Sequence, residues 1–314
     1  MPAILVCYIR SLLQARKVTC TAILRQFGYS HDKLTRFLAQ KLAWKKWYRY
    51  LVVKLFGGLT GGWIALDDTV LAKAFGKKFV AASWVWDSAQ ERAVFGYNLV
   101  FMVWSNGRVT IPLCWRWYRQ YGKTKIELAQ SLLKEVAYVW HLKPDYVLMD
   151  GFYPAKEIVN QLTKYGWHFV TKLKKNRVIG GCRLDEGLTE DGDTTLGWLS
   201  DCCQVRVVKY DSRYLATNDL SLKKKQIAEW YGHRWVIEEC FRSLKQELHF
   251  AKCQARSKTA QEKHLLCGVI GYLILQKEQS KDQSLYSIKE KFIFNHAWGY
   301  NRVKHYEAIL TEGA

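Results

Sequence analysis

The chain lacks any uninterrupted apolar run of the roughly 18 residues that a membrane-spanning helix requires. The nearest approach, Leu265 to Leu275, is too short and is broken by two glycines. Met1 to Leu13 is apolar with one arginine, but it has neither the basic start nor the small-residue cleavage site of an export signal. Cys-x-x-Cys pairs are also missing. The nine cysteines are scattered and odd in number, which argues against a disulfide framework and against a zinc site. Their default role is that of a small buried hydrophobe. There is no internal repeat, no low-complexity tract and no phosphate-cradling glycine loop. Acidic residues are scarce: 28 Asp plus Glu face 48 Lys plus Arg, leaving a net charge of +20. So large an imbalance costs self-repulsion that a polyanionic partner relieves, nucleic acid before a membrane surface. Hydrophobic residues make up 49% and aromatics 14% of the 314 positions. That is enough for one large domain or two modest ones with a sizeable core, and it excludes global disorder.

Against that background the stretch Tyr231 to Lys245, YGHRWVIEECFRSLK, stands out. It predicts a helix: no Gly or Pro follows Gly232, and good helix formers recur. At about 100° per residue, Tyr231, Arg234, Glu238 and Lys245 fall within roughly 60° of arc, spread along about 21 Å. Val236, Ile237, Cys240, Phe241, Leu244 and Leu248 fill much of the remaining circumference and suit a core. On spacing alone this is an amphipathic helix whose Glu238 makes surface ion pairs. The pattern Tyr, two residues, Arg, three residues, Glu, six residues, Lys nevertheless resembles the signature of bacterial insertion-sequence transposases with an Asp-Asp-Glu site. Trp235 and Phe241 match its flanks.

The resemblance directs attention to two aspartates. Trp63 to Thr69 (WIALDDT) predicts a buried strand ending in Asp67 and Asp68. Carboxylates at a strand end are held rigidly at a sheet rim, which suits metal binding, although a loop-capping Asp reads the same way. The family's first catalytic Asp lies in such a strand before a Thr, which implies Asp68. Period-2 alternation points Asp67 to the other face, and it is kept in reserve. Residues 93–104 and 108–115 predict a hairpin across Asn106-Gly107. A helix is expected over 123–142, a buried strand over 146–149 ending at Asp150, a helix over 155–164 and a strand over 167–173. That order is that of a ribonuclease H-like fold, which the family adopts, with its second Asp where Asp150 stands. Tyr153, three residues on, also resembles the family. The expected fold class is α/β: a ribonuclease H-like mixed sheet flanked by helices over 61–314, with a short β insertion at about 178–214. Further strands are expected over 205–210 and 214–218. Ser221 is expected to cap one long helix carrying Glu238, and Leu265 to Leu275 to form another helix. Residues 280–314 carry no usable signal.

Residues 1–60 predict a helical region containing a helix-turn-helix over 19–41, with Gly28 at the turn and Ser30 as N-cap. Cations and aromatics then interleave over Trp44 to Tyr50, which suits DNA contact; a small helical bundle with a solvated basic face fits as well. Lys172, Lys174 and Lys175, with Arg177, form a second basic cluster, read as backbone phosphate contacts rather than a solvated loop.

Taken together, the resemblance implies a metal-dependent DNA transposase. Asp68, Asp150 and Glu238 would hold Mg²⁺, or Mn²⁺ in its place, as two ions about 3.5–4 Å apart. Tyr231, Arg234 and Lys245 would grip phosphates, and Trp235 would stack on an extruded base or sit in the core. The implied partners are double-stranded DNA, as transposon inverted repeats and target, and a second copy of the chain. The implied location is the bacterial cytoplasm at the nucleoid, with no membrane. Three alternatives stay open: a catalytically inactive relative, a nuclease that cuts without joining, and a basic protein binding nucleic acid by charge alone.

Overall fold

The computed structural model describes residues 2–41, 43–73, 78–88, 90–280 and 282–312. Four helices come first: α1 (Pro2–Gln14), α2 (Cys20–Phe27), α3 (His31–Ala39) and α4 (Trp44–Phe56). Then follow β1 (Trp63–Ala72), β2 (Ser83–Asp87), β3 (Arg92–Ser105), β4 (Thr110–Tyr118), α5 (Lys125–Tyr138), β5 (Tyr146–Met149), α6 (Lys156–Tyr165) and β6 (Phe169–Leu173). A β-rich stretch comprises β7 (Val178–Ile179), β8 (Cys182–Arg183), α7 (Leu184–Gly187), β9 (Thr194–Leu199), β10 (Cys203–Tyr210) and β11 (Arg213–Thr217). Helices α8 (Lys224–Gly232), α9 (Trp235–Gln246), α10 (Lys258–Glu278), α11 (Leu285–Phe294) and α12 (His296–Thr311) complete the chain.

The chain divides into two compact units. One comprises Met1–Leu59, Val70–Tyr97 and Cys240–Ala314, the other Thr60–Thr69 and Asn98–Glu239. In the first unit α1 packs on α10, α11, α12 and α3. Leu5, Ile9, Leu12 and Leu13 supply its buried stripe, at the i, i+4, i+7, i+8 spacing that one helix face requires. Thr19 caps α2 through its hydroxyl, and Gly28 ends it in the left-handed conformation. Ser30 holds the N-cap position of α3 without a side-chain hydrogen bond. All nine cysteines are free thiols. Among the described residues no helix is long and apolar enough to cross a membrane.

The second unit is built on a mixed sheet in the order β3-β1-β5-β6-β11-β10-β9, with β4 paired to β3. β1 and β5 are parallel, as are β5 and β6; β6–β11, β11–β10, β10–β9 and β3–β4 are antiparallel. This is the mixed α/β, ribonuclease H-like architecture expected. The central parallel strands read as unbroken apolar runs because both faces are covered: Trp63-Ile64-Ala65-Leu66 and Tyr146-Val147-Leu148-Met149 are buried throughout. One face carries a cluster of Trp63, Tyr146, Leu148, Val170, Val208 and Leu215, onto which Ile227 and Tyr231 of α8 pack. Each such aliphatic or aromatic side chain contributes roughly 1.5–3 kcal/mol when fully buried. Strands β2, β7, β8 and β9 lay outside the sequence pattern, and so did α7, α11 and α12. β2 and β9 expose Trp84, Trp86 and Trp198, so their alternation puts the large side chains on the wet face and hides the usual signal.

One expected element differs. The helix drawn through Tyr231 to Lys245 is two helices, α8 and α9, separated at His233-Arg234. His233 N–H bonds back to both Glu229 and Trp230, and the next amides close three-residue steps to Tyr231, His233 and Arg234. The chain tightens there because Gly232 carries the weakest propensity of the segment. The cap also differs: Ser221 bonds to Asp219 through both its amide and hydroxyl. Lys223 takes the N-cap position instead.

A candidate active site of clustered carboxylates

The register of the parallel strands decides which aspartates meet. Leu66 pairs with Met149, so the next residues along are Asp67, still inside β1, which runs past the expected strand end to Ala72, and Asp150, just beyond the end of β5. Alternation then fixes the face. Trp63, Ala65 and Asp67 share one, as do Tyr146, Leu148 and Asp150, and both sets lie on the face that α8 covers. The turn after α8 delivers Arg234 to the same place. Its Nη1 donates to Asp67 Oδ2 at 2.9 Å and its Nη2 donates to Glu238 Oε1 one turn further along α9. Arg234 is 15% exposed and also lies over the Tyr231 ring at 5.6 Å. Thus β1, the end of β5 and the start of α9 bring Asp67, Asp150, Arg234 and Glu238 together within the second unit.

The electrostatics are those of crowded negative charge. Burial pushes the Asp67 carboxyl up to about 7, and Asp150 adds to the rise while Arg234 opposes it. Burial likewise raises Asp150, with Asp68 adding to the rise, while the Phe152 amide, which donates to its Oδ1 at 3.0 Å, and Arg234 oppose it. Desolvation works against the Arg234 charge, but Asp67, Tyr231 and Glu238 outweigh it and raise its pKa. Arg234 Nε is buried without a hydrogen-bond partner. As they stand, no three Asp, Glu, His or Cys side chains among the described residues converge closely enough to hold one metal ion. The guanidinium between Asp67 and Glu238 accounts for that spacing. The donor set itself, three carboxylates with surplus negative charge, fits a hard divalent cation of the Mg²⁺ class.

Asp68 points to the opposite face. Its Oδ1 accepts the Tyr153 hydroxyl at 3.0 Å, and its Oδ2 accepts Asn98 Nδ2 at 2.8 Å and Lys125 Nζ at 2.7 Å. Tyr153 is fully buried, and burial, with Asp68 and Asp67 nearby, raises its hydroxyl well above the ordinary range. Lys125 and Asn98 escaped the sequence reading. The one signal for Lys125 is a cation at the first residue of a helix, where the dipole disfavours it.

The remaining expected residues lie as follows. Tyr231 is buried in the sheet-facing cluster, and Trp235 is 48% exposed. Lys172, Lys174 and Lys175 are exposed around the end of β6. Lys245 belongs to the first unit, where burial lowers its pKa and Asp87 partly restores it.

A family profile described as transposase DDE domain matches residues 63–274. Among curated proteins no sequence matches. Among solved structures the chain is similar to a piggyBac transposase synaptic complex with hairpin DNA, determined by cryo-electron microscopy. The TM-score is 0.57 at 10% identity, over 97% of this chain and 71% of that one. At that identity the likeness speaks to fold.

Proposed function

The chain belongs to the transposase DDE domain family, and from that premise we propose that it is a DNA transposase that cuts at the ends of its element and joins the freed 3′-OH to target DNA. The observation that carries this reading is the convergence of Asp67, Asp150, Arg234 and Glu238 from three elements of one unit. Enzymes of this family generally use divalent metal ions. Asp67, Asp150 and Glu238 would hold Mg²⁺, with Mn²⁺ as substitute and two ions expected. The first ligand is read here as Asp67, kept in reserve by the sequence, because Arg234 binds it and it follows the residue paired with Met149; Asp68, the aspartate before Thr69, also acts on Asp150. Held by those carboxylates, such ions would supply Lewis-acid activation of the attacking and leaving oxygens of an in-line displacement.

The chain's own residues do the positioning. Arg234 holds Asp67 and Glu238 in fixed relation and is the natural cation to meet a phosphate once DNA is bound. Tyr231, packed on the sheet, supports the guanidinium, whose carbon lies 5.6 Å from its ring centre. In the cutting step a water oxygen bonds to phosphorus as the P–O3′ bond breaks, leaving a 3′-OH and a 5′-phosphate. In the joining step that 3′-OH bonds to a target phosphorus while a target P–O3′ bond breaks. Neither step needs a covalent enzyme intermediate, so no serine or cysteine nucleophile is called for. Joining needs two ends held at once, which favours two copies of the chain on DNA.

The test is cleavage of DNA carrying the element's flanking ends, wild type beside Glu238→Gln. Wild type should cut only with Mg²⁺ or Mn²⁺. The variant should lose at least about a hundredfold in rate while DNA binding persists. Equal rates in both would remove Glu238 from the chemistry, and metal-independent cutting would sink the proposal. A strand-transfer assay on the same DNA separates joining from cutting alone.

A further inference from the structure

β2 is an edge strand: β3 pairs with one side of it, and among the described residues no strand pairs with the other. Open edges invite pairing with another chain, and proteins blunt them with Lys, Pro or a bulge. Ser83-Trp84-Val85-Trp86-Asp87 has none of the three. Val85 faces inward, against Val70 and Val94. Trp84 and Trp86 face outward, 65% and 63% exposed, with the Phe95 ring 6.0 Å from that of Trp84. The open backbone groups belong to the same two residues. Phe95 stands opposite Trp84, and its carbonyl accepts the Lys73 amide at 2.7 Å on the far side of β3. Trp84 and Phe95 are therefore a non-hydrogen-bonded pair. The amide and carbonyl of Trp84, and of Trp86 two residues on, point out of the edge.

The charge of this segment runs against that of the chain. Residues 79–91 contain no Lys or Arg and two acids, Asp87 and Glu91, in a protein of net charge +20. A strand built to lie on DNA would be basic; an aromatic one without cations suits a protein partner. The edge is also complementary to itself. Two copies of β2 set antiparallel about Val85 place Trp84 of each opposite Trp86 of the other, as hydrogen-bonded pairs made from the outward amides and carbonyls. All four indoles then lie on one face as cross-strand aromatic pairs. In the same register Ser83 of each copy meets Asp87 of the other, so the acids do not face each other. The four indoles offer on the order of 600 Å², about half of the roughly 1,200 Å² at which stable interfaces begin. Such an edge pairs weakly in free protein and firmly when a second interaction holds two copies close.

We propose that β2 is a self-association surface: two copies of the chain pair through their β2 edges, antiparallel about Val85, once DNA brings them together. This rests on reading the chain as a transposase that joins two ends, and it names the surface through which the two copies meet.

The experiment uses the full chain with p-benzoylphenylalanine in place of Trp84, mixed with an isotope-labelled wild-type copy. The mixture is irradiated free, on a duplex carrying one of the element's ends, and on DNA carrying both. Mass spectrometry should find a cross-link from position 84 to residues 84–88 of the labelled copy, at least about tenfold stronger on two-ended DNA than in free protein. Trp86→Thr keeps a strong strand former, and Trp86→Pro removes an outward amide while leaving the β2–β3 ladder whole. Placed in the labelled copy, each should cut the cross-link at least about tenfold, while binding to the one-ended duplex stays within about twofold of wild type. Sedimentation counts the copies on each DNA. Two copies on two-ended DNA whose position 84 cross-links to DNA bases, to another surface or to nothing overturn this inference alone. So does a cross-link that survives both Trp86 variants. A wild type that joins two-ended DNA as a single copy overturns the two-copy reading as well, and one that neither binds nor cuts DNA overturns the transposase reading together with it.

Discussion

Lys289 shows what a single buried cation does to this protein. It is 2% exposed and donates to the Leu12 carbonyl. Burial pulls its pKa down to about 7, with Glu247 pulling the other way; in the unfolded chain it titrates near 10.4. Below about pH 7 both states are protonated, and the folded state bears the full cost of the buried charge. Between about 7 and 10 the unfolded state binds more protons, so stability rises with pH, by up to about 1.4 kcal/mol per pH unit. Lys289→Met removes that dependence. Urea melts at pH 6.5, 8 and 9.5 should show the variant's advantage over wild type shrinking as pH rises; a constant gap would mean that Lys289 does not titrate in that window. The aspartate pair shows how far single residues can be read from sequence. The Asp67-Asp68 pair, Asp150, Arg234 and Glu238 were all visible as candidates. How each of the two lies against Asp150 was not, because it depends on the Leu66–Met149 register, a fact about two strands and not one. Asn98 and Lys125 were invisible for the same reason: each is an ordinary residue until the fold sets it against Asp68.

Elements carry the site through their ends and breaks. The hairpin at Asn106-Gly107, the α5 and α6 helices and the apolar central strands were legible because each announces itself locally, by turn chemistry or by periodicity. The interruption between α8 and α9 was not, since Gly232 weakens a helix without dictating where it bends. Two glycines test these elements in opposite directions. Gly62 has φ +67°, and a Cβ there would lie 2.4 Å from the Ser105 carbonyl oxygen, which is backbone and cannot step aside. Gly62→Ala should cost about 2–4 kcal/mol, from left-handed strain and overpacking at the start of β1. A Cβ on Gly232 meets nothing within 4 Å, so Gly232→Ala should stabilise by about 0.5–1 kcal/mol through helix propensity. Denaturant melts read both; a harmless Gly62→Ala would show that β1 and the hairpin are not held in this register.

At the scale of the whole molecule, the net charge of +20 predicts that the proposed DNA binding is salt-dependent as a matter of counterion release. If Lys172, Lys174 and Lys175 each meet one phosphate, replacing all three by Gln should lower the salt slope by roughly 2–3. An unchanged slope would assign them to a solvated loop. The first unit raises a different matter. Its α1 packs against α10, α11 and α12, and the end of α1 precedes the start of α10 by 244 residues. A ribosome adding about 5–20 residues each second leaves roughly 12–50 s between the emergence of the two surfaces. Throughout that interval α3 can pack on α1, but the surfaces of α10, α11 and α12 that complete its cover do not yet exist. Part of the Leu5, Ile9, Leu12 and Leu13 stripe therefore stays open to water until the C-terminal helices are made, and the newest copies of the protein are the ones with the most apolar surface to lose.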